Sequence, residues 1–167
     1  DAALWFVIAA DAYLASAPAA PDDRRRLHDA IAEIVAGYTA GTRHGIRMDR
    51  DGLLACGEPG WQLTWMDAKI GGDVITPRIG KPVEIQALWI NALAIAGRTA
   101  EADRAPAAFA QRFWNAAGRQ LYDVVDCDHR PGTVDAAFRP NQIFAVGGLP
   151  LMLLEGDRAR RLVDAVA

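Results

Sequence analysis

What most constrains this chain is an alternation between two kinds of helical pattern. Residues 2–14 are apolar on nearly every side, broken only by Asp11, and residues 82–96 repeat this with Glu84, Gln86 and Asn91 as their few polar positions. Residues 140–154 form a third such run, polar only at Asn141 and Gln142, with Gly147, Gly148 and Pro150 placed to bend or break it. A helix without a polar face belongs in an interior. Between these runs, residues 22–38, 103–121 and 157–166 each carry one apolar stripe. Leu27, Ile31, Ile34, Val35 and Tyr38 make the first, Phe109, Phe113, Trp114 and Leu121 the second, and Ala159, Leu162, Val163 and Val166 the third. Pro21 and Pro106 read as helix-start signals.

Buried helices alternating with half-buried ones predict two concentric layers and an all-α fold. The pattern gives three antiparallel hairpins, half of what a closed six-hairpin (α/α)6 toroid needs. The 167 residues therefore read as a single domain, 1–167, a partial toroid cut at both ends, because Asp1 and Ala167 both fall inside helical patterns.

Connections from inner to outer helix are short, at 15–21, 97–102 and 155–156, whereas those returning inward, 39–81 and 122–139, are long. Long loops are usually functional. Both lead into the N-terminal ends of inner helices, so the binding site is expected on that rim. Within the first, residues 45–54 alternate around Asp49-Arg50-Asp51-Gly52 and predict a hairpin.

A net charge of -3 without a basic stripe argues against nucleic acid as a partner; the one basic run, Arg24 to Arg26, sits beside Asp22 and Asp23. The longest apolar run, 2–10, falls short of the ~20 residues of a membrane span. Cys56 and Cys127 are too few and too distant for a disulfide framework, which fits a reducing, cytoplasmic setting. His28, His44 and His129 share no metal-ligand spacing, so no zinc or other metal is expected, and no cofactor.

The densest chemistry lies in Gly60-Trp61-Gln62-Leu63-Thr64-Trp65-Met66-Asp67-Ala68-Lys69, followed by Thr76-Pro77-Arg78 and Gly80-Lys81-Pro82-Val83-Glu84. Indole faces pack on the C–H faces of pyranose rings, while carboxylates and amides bind the hydroxyls. An acid beside such apolar walls is favoured to keep the proton that a general acid donates. Equally open is a structural role, in which Trp61 and Trp65 plug the fold and Asp67 caps a turn or pairs with Lys69 or Arg78. Asp1, Glu84, Arg139, Asn141 and Gln142 all fall at the starts of the apolar helices and would project onto the same rim. Capping by Asp1 or Asn141, and a salt bridge from Arg139 to Asp135, are the plain alternatives.

Trp65-Met66-Asp67-Ala68-Lys69, Thr76-Pro77-Arg78 and the run from Gly80 to Leu93 together resemble the glucosidase domain of glycogen-debranching enzymes, the amylo-α-1,6-glucosidase family. The segment Asp1 to Phe6 looks like that domain's opening inner helix, and Asp135 with Arg139 to Gln142 like a later one; Gln86 and Ile90 depart from the usual pattern. The resemblance implies an (α/α)6 barrel and inverting hydrolysis of α-1,6-linked glucose at branch points of glycogen or a related α-glucan, which would be the partner. It implies Asp67 as proton donor, with Asp1, Trp5, Trp61, Trp65, Arg78, Lys81, Glu84, Asp135, Arg139, Asn141 and Gln142 binding substrate. The family's catalytic base lies in a tryptophan- and proline-rich loop that these residues lack, so the fragment alone is expected to be inactive. Two rivals remain: another (α/α)6 glycosidase of the trehalase, glucoamylase or glucosylglycerate-hydrolase type, and a non-catalytic glucan-binding helical domain.

Overall fold

Helix α1 (Ala2–Ser16), α2 (Pro21–Ala40), α3 (Val83–Ile95), α4 (Thr99–Arg112) and α5 (Gly156–Val166) frame the chain. They belong to a computed structural model that describes residues 1–16, 18–97 and 99–166. Ala17, Arg98 and Ala167, which the two short connections and the chain end include, lie outside the described residues.

Every residue of α3 from Val83 to Leu93 is buried, as a helix apolar all round requires. It packs against α1, α4 and the 3-10 segment Pro140–Ala145. Trp89 is fully buried at its centre, and its indole N–H donates to the Gly52 carbonyl at 2.9 Å, tying the helix to the hairpin turn. Helix α2 contributes Ile31 and Val35 to the same core, and α5 contributes Leu162.

The all-α, half-toroid expectation fails. Helices hold about 49% of the chain, and 12% lies in strands spread over several small sheets. Two of the six expected helices do not form as expected, and most of the strands lie in the two long loops. Across residues 140–154 only Pro140–Ala145 winds, as a 3-10 turn. Gly148 then takes a left-handed φ of 79°, and the Leu153 and Leu154 amides fold back onto the Ala145 carbonyl at 2.8 and 3.1 Å. Across residues 103–121, the helix stops at Arg112, and Trp114–Asn115 pairs antiparallel with Gln120–Leu121. The Asn115 side chain closes that turn by accepting the Gly118 amide at 3.1 Å. Phe109, Phe113 and Leu121 are nonetheless all buried, so a hairpin satisfies the same apolar stripe. Pro106 lies inside α4 and not in its first turn.

Helix α1 differs from expectation too. Only Leu4, Val7 and Ala10 are buried, and Trp5, Phe6 and Tyr13 remain exposed. Its main partners are α2 and α3. The expected hairpin is present, with Arg47–Met48 paired to Leu54–Ala55.

The element that positions the candidate site is a three-stranded antiparallel sheet. Lys81–Pro82 pairs with Val124–Val125, which pairs with Val134–Asp135. It brings the start of α3 against two stretches of the second long loop. No described helix is long and apolar enough to cross a membrane.

Candidate active site

At the edge of that sheet, the Val83 amide donates to the Asp123 carbonyl at 2.9 Å, and the Asp123 amide donates to the Asp135 carbonyl at 2.8 Å. These bonds set Glu84, in the first turn of α3, beside Asp123. Arg78 enters between the two carboxylates. Its Nε and Nη2 donate to Asp123 at 2.8 and 2.9 Å, Nη2 also reaches Glu84 Oε2 at 2.6 Å, and Nη1 bonds Glu84 Oε1. The Thr64 hydroxyl accepts a further bond from Arg78 at 3.3 Å. Burial opposes the Arg78 charge, but the bonds and charges of Glu84 and Asp123 outweigh it and hold the guanidinium more firmly protonated than usual.

Asn141 completes the floor. Its Nδ2 donates to Glu84 Oε2 at 2.6 Å and to Asp123 Oδ1 at 3.1 Å. Two acceptors on one side fix which way the amide points. Its Oδ1 is buried and, among the described residues, has no partner. Arg139 bonds Asp123 and reaches Asp135 at 3.0 Å. Burial works against an ionised Asp135, but the Ala137 amide and the Arg139 guanidinium prevail and keep its carboxyl below the usual range.

Above this floor opens a cavity of about 390 Å³, with Glu84 and Asn141 at its base. Trp5 and Phe144 meet edge to face there at 5.4 Å, and Trp65 and Ile143 extend the wall. A second cavity of about 680 Å³ takes in His44, Trp61, Gln62, Thr64 and Asp67, and Asp1 lines both. Both volumes fall in the ~300–1,000 Å³ range of small-molecule clefts. Apolar walls over a base of fixed polar groups suit a sugar ring, whose faces are C–H and whose rim is hydroxyl.

The expected site residues thus divide. Asp1, Trp5, Trp65, Glu84 and Asn141 surround the first cavity, while Trp61 and Asp67 line the second. Asp67 is exposed, and Lys69 and Arg78 are spent elsewhere: Lys69 donates to the Gly60 carbonyl at 2.6 Å, and Arg78 serves Glu84, Asp123 and Thr64. Arg78, Arg139 and Asp135 lie behind the floor instead of lining either cavity. Gln142 is buried, with its amide given to the Leu121 and Arg139 backbone. Lys81 points away altogether. It is buried among Asp49, Asp51 and Asp126 at 3.0, 2.9 and 3.1 Å, a cluster that Arg112 also joins.

Asp123, Thr64, His44, Ile143 and Phe144 were not among the expected residues. Asp123 had a signal, an acid set inside the apolar run Leu121-Tyr122-Asp123-Val124-Val125. Thr64 lies within the Gly60 to Lys69 cluster, whereas His44, Ile143 and Phe144 carry no signal that stands out locally.

Residues 1–167 match the amylo-alpha-1,6-glucosidase family. Among curated proteins none matches the chain. Its fold is similar to the crystal structure of a GH78 family rhamnosidase of Bacillus sp. GL1, with a TM-score of 0.65 and 20% identity. That likeness covers 96% of this chain but spans only 16% of the rhamnosidase chain. At that identity the neighbour speaks for the fold, and the match along the whole sequence speaks for kinship. The chain belongs to the amylo-α-1,6-glucosidase family.

Proposed function

We propose that this chain supplies the general acid and the glucose-binding wall of an inverting α-1,6-glucosidase acting at branch points of glycogen or a related α-glucan. The observation that carries the reading is a contrast between carboxylates. Glu84 has both oxygens engaged by Arg78 and Asn141, whereas Asp67 is exposed on the neighbouring cavity and, among the described residues, accepts no hydrogen bond. A group that must reach a glycosidic oxygen needs free oxygens.

In this reading the terminal glucose fills the first cavity, stacked by Trp5 and Trp65, its hydroxyls met by Asp1, Glu84 and the Asn141 carbonyl. Asp67 gives its proton to the bridging oxygen as the bond to the anomeric carbon breaks. Water then adds from the opposite face, activated by a second carboxylate that we do not assign within these residues. Arg78, Asp123 and Arg139 hold the floor rigid so that its dipoles need no reorganisation.

The test is Asp67→Asn in the enzyme that carries this chain. Hydrolysis of an α-1,6-linked glucose stub should slow by about 10²–10⁴-fold. The loss should be much smaller for α-glucosyl fluoride, whose leaving group departs with little protonation. Equal losses on both substrates would show that Asp67 is not the acid.

A further inference from the structure

The second cavity contains a built constellation that the proton-donor reading does not use. His44 Nδ1 lies 2.7 Å from Glu58 Oε1, and its imidazole packs on the Trp61 indole with ring centres 4.2 Å apart and planes 34° from parallel. Facing a carboxylate, which only accepts, Nδ1 carries the hydrogen. Nε2 then remains as the ring's second polar atom, and among the described residues it has no partner.

The backbone is committed to this arrangement. His44 sits at a φ of 60°, a left-handed conformation that a residue with a β-carbon adopts at a cost. Its carbonyl accepts the Gly57 amide at 2.9 Å, and the Gly57 carbonyl in turn meets His129 Nε2 at 2.8 Å. Gly57 has no room for a side chain, because a β-carbon there would lie 2.9 Å from the Ile79 Cα. Three segments thus clamp one histidine, and strain held in this way clusters at functional sites. Gln62, Thr64 and Asp67 line the same cavity.

Because Asp1 lines both cavities and Asp67 only the second, Asp67 stands on the side that a leaving group would occupy. We infer that the cavity lined by His44, Trp61 and Gln62 binds the glucan main chain from which the terminal glucose is cut, with His44 as its specificity-determining residue and Glu58 as the residue that positions it. This rests on Asp67 being the proton donor, because that role decides which side is the leaving group's. Nε2 of His44 would hydrogen-bond a main-chain hydroxyl, and the exposed part of Trp61 would meet the sugar's C–H face.

The test is binding, read separately from catalysis. Calorimetry with maltotriose probes the main-chain cavity, and glucose probes the first one. His44→Asn keeps a residue that tolerates the left-handed backbone. It should weaken maltotriose binding by about tenfold, the worth of one hydrogen bond, while glucose affinity stays within about twofold. Glu58→Gln, whose neutral amide oxygen holds the ring less firmly than a carboxylate, should produce a smaller loss with the same selectivity. In steady state, His44→Asn should raise KM for a branched maltooligosaccharide and change kcat little, the reverse of the split expected for Asp67→Asn. Equal weakening of both sugars would make His44 merely structural, and unchanged maltotriose binding would remove it from the site. A parent protein that binds no maltotriose at about 10 mM overturns the assignment even if Asp67 proves to be the acid. If maltotriose discriminates as stated but Asp67→Asn leaves hydrolysis intact, the cavity stands as a glucan site and its leaving-group assignment falls.

Discussion

Arg78 and Asp123 meet as a two-pronged pair, Nε to Oδ2 at 2.8 Å and Nη2 to Oδ1 at 2.9 Å, with both side chains almost wholly out of water. Asp123 also answers Arg139 and Asn141. Removing it would leave two guanidinium groups and an amide each short of one acceptor. Breaking a buried pair from one side costs about 3–5 kcal/mol. Asp123→Ala should therefore lower stability by that order in urea denaturation. The exposed pair of Asp22 and Arg25, at 2.8 Å, offers the control: Asp22→Ala should cost less than about 1 kcal/mol.

Asn141 is the floor residue that has an acceptor to spare. Asn141→Ala removes the Oδ1 that we propose meets the sugar and also two donated bonds to Glu84 and Asp123. We expect glucose affinity to fall about tenfold and stability to fall by about 1–3 kcal/mol. Calorimetry and urea titration on the same variant read the two effects apart.

Acid should loosen the second ion cluster. Burial would raise the Asp126 carboxyl, but Arg112, the Gly132 amide and Lys81 overcome that and bring it from 3.8 to about 2. Asp51 is lowered as well: burial opposes its charge, and Lys81, the Leu53 amide and Arg112 prevail. A carboxyl lowered in the folded state binds its proton more weakly there than when unfolded, so the stabilisation is present above the unfolded value and disappears as pH falls through the folded one. Stability should thus decline between about pH 4 and pH 2. Asp126→Asn should flatten that decline in urea midpoints measured across the range, with a lower plateau near neutrality.

Gly80 is fixed by its neighbours. It pairs with Cys56 across an antiparallel bridge at a φ of 129°, and a β-carbon would fall 2.5 Å from the Asp126 carbonyl oxygen and 2.9 Å from that of Val125. Backbone strain alone costs about 1–3 kcal/mol at such a position. Gly80→Ala should destabilise by more than about 2 kcal/mol, because the clash adds to the strain. Urea midpoints would register it.

Local periodicity was readable where a helix is long and its partners near in sequence. Residues 22–38, 82–96 and 157–166 became α2, α3 and α5 because apolar residues at helical spacing, on one stripe or all round, leave few other ways to be buried. Strands of two residues each fall below any alternation that a sequence displays, so the sheet placing Asp123 and Asp135 was invisible, and the all-α reading followed. The kinship was legible from the run around Asp67 and from Gly80 to Leu93, and the match over residues 1–167 agrees. The fate of the charged residues was not, because pairing is a long-range choice. Nothing local distinguishes Lys81, turned toward Asp51, from Glu84, three residues on and facing the cavity.

The floor of the first cavity and the groups that brace it draw on residues 64, 78, 84, 123 and 141, scattered over nearly half the chain and aligned only when the sheet and α3 are docked. An unfolded chain has no partial version of it to offer. A sugar that occupies this floor would therefore bind the native protein alone, and mass action would turn occupancy into resistance to melting, by about 2.7 kcal/mol at a hundredfold excess over Kd. Glucose or glucan should raise the melting temperature in proportion to the logarithm of its concentration, which makes the protein's own heat tolerance a gauge of how much sugar surrounds it.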